Sequence, residues 1–250
     1  MSTPFVVKFQ SHEAAIATVQ SLQEMKAAIA DMSISVNRPV LVVIGGASKI
    51  SAADYELIQQ LFVKVLAPIA QKWQAAIVDG GTDTGVMQLM GRARQQIQGT
   101  FPLMGIAPVG LATLPGQGID SEHAAPLEPH HSHFLLVPGS NWGDESSWLA
   151  AAASEIAQSA PSVTVLLNGG EITWEDALQN VTVQQRPLIV ISGSGRAADL
   201  ITAGLRGEPT DDRAIPLIDS GRVQAIELTD LHQLGKTIEA MFAANPVDAG

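Results

Sequence analysis

The chain contains no cysteine, so neither disulfides nor thiolate metal sites are open to it. It has one tyrosine, and aromatic residues make up only 4% of it, which leaves the core to small aliphatic side chains. Charge is scarce at 16%, and the deficit is one-sided: 14 lysines and arginines stand against 25 acids, a formal net charge of −11. Binding along a nucleic-acid backbone needs many cationic contacts, so this balance argues against nucleic acid as a partner. No run approaches the 18 apolar residues of a membrane span, and no basic segment with an apolar core opens the chain. A cytoplasmic protein without membrane contact is the expectation. The sharpest absence is local: no Lys or Arg occurs between Arg94 and Arg186. An anion held by the middle of the chain must rely on backbone amides, hydroxyls or histidine. A cation can reach it only from elsewhere, with Arg196 best placed and Lys49 second.

What the sequence does have is alternation. Apolar runs at 40–44, 75–78, 103–107, 134–137, 163–167, 187–191 and 223–228 read as strands, most of them apolar throughout, as parallel strands covered on both faces are. Helical spacing occupies 51–72, 86–97, 148–158, 175–183, 197–205 and 231–243, with Pro68 kinking or dividing the first and Asp230 capping the last. Residues 4–9 read as an edge strand and 12–32 as an amphipathic helix carrying Ala15, Ile16, Val19, Leu22, Met25, Ala28 and Ile29. Residues 207–213 read as a polar loop, and 108–129 as a long glycine- and proline-rich loop, a length more often functional than filler. Strands alternating with helices predict α/β architecture: one doubly wound, mostly parallel sheet with helices on both faces, in a single domain over 1–250. Residues 1–36 and 206–250 would extend it at either end. The alanine-rich helix at 148–158 offers an apolar face compatible with a homodimer.

The strands end in glycine turns, at Gly45-Gly46-Ala47-Ser48, at Asp79–Gly85, at Pro138–Gly143 (which contains Gly139) and at Asn168-Gly169-Gly170-Glu171. Glycines at a strand-to-helix junction let backbone N–H groups approach an anion that also sits on the positive helix end. In the second turn Asp83 or Thr84 can cap the helix, and Thr82 and Thr84 offer hydroxyls to a phosphate. SGSGRAA at 192–198 fits the looser dinucleotide fingerprint with Ala198 in the third glycine position, after a strand and opening a helix. No acid ends a following strand about 20 residues on, so a nicotinamide dehydrogenase is not expected. His131 and His133 would share a strand face, but a third metal ligand would have to come from Glu128, His123 or a distant residue. A histidine donating to a ligand phosphate, or packing beneath the loop, is the preferred reading. Glu175 and Asp176 sit just inside a helix, where a carboxylate complements the macrodipole; as chemistry, one could stabilise an oxocarbenium ion in N-glycoside cleavage.

Taken together, VDGGTDTGVMQLMGRAR (78–94), LMGIAPVG (103–110), HSHFLLV (131–137), VTVLLNGG (163–170) and LIVISGSGRAADLI (188–201) resemble the SLOG superfamily across about 40–205. The resemblance is nearest to the branch found in the N-terminal region of melastatin-type TRP channels. It implies a Rossmann-like fold and a free-standing relative that senses a nucleotide-derived ligand, such as ADP-ribose or cyclic ADP-ribose, with no cofactor required and an effector downstream. It places that ligand against Gly45, Gly46, Ala47, Gly80, Gly81, Thr82, Thr84 and Gly85, with Pro108, His133, Gly139, Gly169 and Gly170, and with Gly193, Ser194, Gly195 and Arg196 on the far side. The 108–129 loop would cover the base or ribose. The helix after HSHF, basic in the channels, reads SSWLAAAASEIAQ here. A second branch, the LOG-type phosphoribohydrolases, carries PGGxGTxxE, echoed by NGGEITWED (168–176) with Ile172 in place of the motif glycine. It implies the alternative activity, base release from a nucleotide, with Glu175 or Asp176 as the acid.

Overall fold

In chain order the strands are β1 (Phe5–Lys8), β2 (Glu13–Thr18), β3 (Val40–Gly45), β4 (Ala76–Asp79), β5 (Leu103–Pro108), β6 (Ala112–Thr113), β7 (Ala125–Pro126), β8 (His133–Val137), β9 (Ser162–Leu167), β10 (Leu188–Ser192) and β11 (Val223–Glu227). The computed structural model describes residues 3–9, 12–47, 51–117 and 124–244; Ser48, Lys49 and His123, named above, lie outside them. Nine strands form one sheet in the order β1-β2-β8-β5-β4-β3-β9-β10-β11, parallel throughout except for β1 against β2. From β3 the chain steps outward through β4 and β5 to β8, then returns to the other side of β3 to lay down β9. The strand order therefore reverses between β3 and β9, where open α/β sheets part at their carboxyl ends.

The helices are α1 (Leu22–Asp31), α2 (Ala52–Leu61), α3 (Ala67–Trp73), α4 (Gly85–Gln96), α5 (Ser146–Ala157), α6 (Glu171–Leu178), α7 (Arg196–Leu205), α8 (Ile215–Asp219) and α9 (Leu231–Ala243). Because strand side chains alternate, each buried strand feeds two cores. Val42, Ile44, Val78, Ile106 and Val190 pack against Met25 of α1, Leu149 of α5, Trp174 of α6 and Ile201 of α7. Leu41, Val43, Ile77, Val165 and Ile189 meet Leu61 of α2, Ile69 of α3, Met90 of α4 and Ile238 of α9. This is the Rossmann-like three-layer fold that the alternation predicts. Among the described residues, no helix is long and apolar enough to cross a membrane.

Several local expectations change. Residues 12–32 are a strand and a shorter helix. Ala14, Ile16 and Ala17 are buried in β2, whose backbone pairs with β1 on one side and β8 on the other, and two ladders outweigh the helix preference of alanine. The helix then restarts under Ser21, which accepts the Glu24 amide. Near Pro68 the interruption takes the form of a π turn, Phe62–Leu66, closed by the Ala67 amide on Phe62 O. Proline has no N–H for the carbonyl four residues back, and the wider turn accommodates the missing bond. The 207–213 loop runs into a 3-10 turn (Asp212–Ala214) and α8, with Ala214 and Leu217 buried. The alanine-rich helix has no apolar face to spare: Leu149, Ala150, Ala152, Ala153 and Ile156 are all buried in α5.

The β5–β8 connection keeps to the loop expected at 108–129: its described residues form no helix, with the two-residue ladder β6/β7 and a bridge from Leu127 to Thr82. Leu127 packs with Ala14, Ile16, Phe134 and Leu136 in a third small core that stands where a helix would cover the sheet.

Candidate functional site

At the strand-order reversal the backbone of β3 closes tightly on β9. Gly45 has φ +132°, and a Cβ there would lie 1.9 Å from Leu167 O, so only glycine allows the approach. The Gly46 amide donates to that same carbonyl at 3.1 Å. Gly85, opening α4 with φ +56°, lies against Gly46 and Ala47, so the β4–α4 turn abuts the end of β3. Gly45, Gly80 and Gly170 together border a crevice of about 230 Å³, walled also by Met87, Leu149, Ile172, Thr173 and Asp176. Gly170 caps α6 and donates its amide to Thr173 Oγ1. The first-turn amides of a helix have no intrahelical partner, so α6 presents its positive end to the crevice.

Among the described residues, Arg196 of the β10–α7 junction brings a cation over these turns. The Arg196 guanidinium spans Gly170, with both terminal nitrogens 3.1–3.2 Å from where a Cβ would stand. The rest of SGSGRAA is a buttress. Asn168 donates its backbone amide to Ser194 Oγ and its side-chain amide to Ser194 O, each at 2.8 Å. Ser194 Oγ donates in turn to Ile191 O, the Gly193 amide to Asp199, and the Ala198 amide to Asn168 O. Gly195 packs against the Asn168 side chain, and Gly169 O accepts from the Ala197 amide. These groups are spent on positioning the β9–α6 turn.

Other residues singled out from the sequence lie farther off. Thr82 is buried and bridged to Leu127; Thr84 sits at the N-cap of α4 without a side-chain capping bond; the Gly81 amide donates to Asp79. Pro108 and Gly139 meet each other at the ends of β5 and β8, to one side of the crevice. His133 opens β8 and so stands at the opposite edge of the sheet from the glycine turns. Burial, with the charges of Arg94 and Arg38, draws its pKa down to about 4, which keeps it neutral at pH 7. The described part of the 108–129 loop borders a different concavity. No group of three His, Asp or Glu side chains among the described residues is placed to hold a metal ion.

The two neighbouring acids separate. Glu175 is exposed and accepts from Gln179. Asp176 is buried in the crevice wall and accepts a 2.6 Å hydrogen bond from Ser146 Oγ. Burial above all, then the charges of Glu145 and Glu175, pushes it up to about 7 against the Ser146 bond. The sequence reading missed Arg213. It binds Glu171 at 2.6 Å, is clamped by Asp211 and lies 4.7 Å over the Trp174 ring, pinning the first turn of α6. Its signal was the pair Asp211–Arg213 in a stretch read only as polar.

An open α/β sheet whose glycine turns and one arginine meet at the strand-order reversal has the form of a Rossmann-like small-molecule-binding protein. The chain belongs to the family described as SLOG in TRPM, prokaryote, which it matches over residues 38–235. It is 30% identical over 226 residues to a transient receptor potential channel of Caenorhabditis elegans, covering 79% of this chain and 11% of the channel. It is 27% identical over 196 residues to transient receptor potential cation channel subfamily M member 2 of Rattus norvegicus, covering 64% of this chain and 13% of that one. Against the transient receptor potential cation channel trpm of Drosophila melanogaster the identity is 31% over 189 residues, 64% of this chain and 9% of the channel. The chain thus spans about a tenth of the length of these relatives. At the coarse level, membership in this family points to a nucleotide-type ligand.

Proposed function

We propose that the β3/β9 crevice binds a nucleotide diphosphate of the ADP-ribose class, such as ADP-ribose, cyclic ADP-ribose or NAD, and that the chain acts as a sensor of it. The carrying observation is the Arg196 guanidinium over Gly170, a glycine that borders the crevice together with Gly45 and Gly80. A diphosphate bridging two ribosides has two charges, which one arginine and the positive end of α6 offset. A triphosphate would bring about two more charges against a wall that already holds Glu171 and Asp176, where like charges repel. The crevice volume of about 230 Å³ suits the diphosphate and one ribose.

Melting temperatures measured with ADP-ribose, cyclic ADP-ribose, NAD, AMP and ATP test this. At a hundred times its dissociation constant a ligand stabilises the fold by about 2.7 kcal/mol. The dinucleotide-type ligands are expected to raise the melt more than ATP, and Arg196→Ala to remove the shift. No shift with any of them would refute the proposal.

One observation favours a second reading, a nucleotide N-glycosidase. Asp176, its pKa raised to about 7, is part-protonated at neutral pH and lines the same crevice. As a general acid it would give its proton to the departing base as the ribose carbon–nitrogen bond breaks, and its carboxylate would take up the proton lost by the water that bonds to that carbon. Free base accumulating in the same incubations, and lost in Asp176→Asn, would establish turnover. A melting shift without base release supports sensing alone.

A further inference from the structure

Under the β5–β8 crossover, three buried ionisable side chains and a half-buried one form a hydrogen-bonded row. His130 Nδ1 meets Glu128 Oε1 at 2.7 Å, Glu128 Oε2 meets His131 Nδ1 at 2.7 Å, and His131 Nε2 meets Asp79 Oδ1 at 2.8 Å. Asp79, Glu128 and His131 are fully buried, while the His130 side chain is 17% exposed. Gly91 of α4 makes room, since a Cβ there would lie 2.0 Å from Glu128 Oε2. His12 stacks on His130 with ring planes 9° apart and is itself held by His131 O. Buried charges are costly beside aliphatic packing, and this row ends at a cavity wall. His130 lines a concavity of about 670 Å³ together with Phe9, Asp83, Gln95, Pro115 and Pro129. This volume lies within the range of small-molecule sites. It shares no lining residue with the β3/β9 crevice.

The chemistry of the wall selects an occupant. A carboxylate only accepts, so Nδ1 of His130 has the hydrogen, and in that tautomer Nε2 is the ring's acceptor. Phe9, Pro115 and Pro129 supply apolar surface, and the Gln95 amide and Asp83 carboxylate supply polar edges. We propose that this concavity is a second binding site, for a flat nitrogen heterocycle bearing an N–H donor, an aminopurine or a pyridine carboxamide, with the donor bonded to His130 Nε2. The site is independent of the diphosphate crevice.

The test titrates protein labelled with 15N-histidine with free adenine and with nicotinamide, following ring-nitrogen shifts and heats of binding. Binding of at least one probe should move the His130 Nε2 resonance. His130→Ala should weaken it about tenfold, the equivalent of one lost hydrogen bond to a ring. Gln95→Ala should weaken it by a smaller factor; Gln95 is exposed on α4 and alanine favours a helix, so this variant keeps the fold. Arg196→Ala should leave it unchanged. No binding of either probe at millimolar concentration overturns the proposal. So does binding lost in Arg196→Ala and retained in His130→Ala, which would place the ring in the crevice instead.

Discussion

Asp79 and Gly80 are neighbours at the end of β4, yet they serve regions built on opposite principles. Gly80 borders the crevice, where glycine turns bring backbone close and Arg196 approaches over Gly170. Asp79 anchors the crossover network, where polar function comes from buried side-chain charge. Backbone amides are fixed by the fold, need no counter-charge and demand only that no Cβ intrude. Charged side chains must be paired at every step, because each one left alone in the interior costs several kcal/mol. The crevice should therefore tolerate loss of its cation without unfolding, and the crossover should not tolerate loss of any central member.

The largest effect is expected from His131→Leu, which strands two buried carboxylates and should cost about 3–5 kcal/mol in urea unfolding. A cost near that of an ordinary surface change would erase the distinction between the regions. The pH dependence follows from the same residue. Burial alone would lower the pKa of His131, but Asp79 and then Glu128 raise it to about 9. A group raised in the folded state stabilises fully below its unfolded pKa, so this contribution is complete below about pH 6.5 and is lost as pH climbs through 9.

Asp176 provides the crevice's own exception, with the same sign of pH dependence in a lower window. Its folded pKa of about 7 exceeds the ordinary 3.8, so the folded state holds the proton more tightly. Stability then falls as pH rises from about 4 to 7, by no more than about 4 kcal/mol from this group. Asp176→Asn should flatten that slope and gain stability at pH 8, measured as urea midpoints on both sides of the window. The smallest expected effect is Gly45→Ala. Its Cβ would collide with Leu167 O, costing about 1–3 kcal/mol of strain and displacing the turn. If that variant kept both its stability and its ligand-induced melting shift, close β3/β9 apposition would not be what forms the crevice.

Much of the sheet was legible because its evidence is local. An all-apolar run such as 40–44 can only be a doubly covered strand or a buried helix segment, and a glycine turn at its end decides between them. The same locality misled at 12–32, where alanines fit a helix and the ladders to β1 and β8 lay elsewhere in the chain. Arg196 was singled out for a different reason: with no cation from 95 to 185, an anion site had few other sources, and the fold brings its guanidinium over Gly170. His133 was misplaced because HSHF marks the beginning of a strand, and the glycine turns stand at strand ends. Arg213 was passed over because its partners, Glu171 and Trp174, are about forty residues away.

The sequence by itself determined the alternation of strands and helices from β3 to α7, the glycine turns between them and the scarcity of positive charge, since periodicity, backbone freedom and composition are properties of a residue and its near neighbours. Only the tertiary structure decided that SGSG is a buttress, that Asp176 and not Glu175 faces the crevice, and that His131 is sealed between two acids. Each of these depends on desolvation and pairing by groups distant along the chain: Ser146 for Asp176, Asn168 for Ser194, Asp79 for His131. A side chain's charge and hydrogen bonds are set by what the fold brings to it, and no local pattern records that.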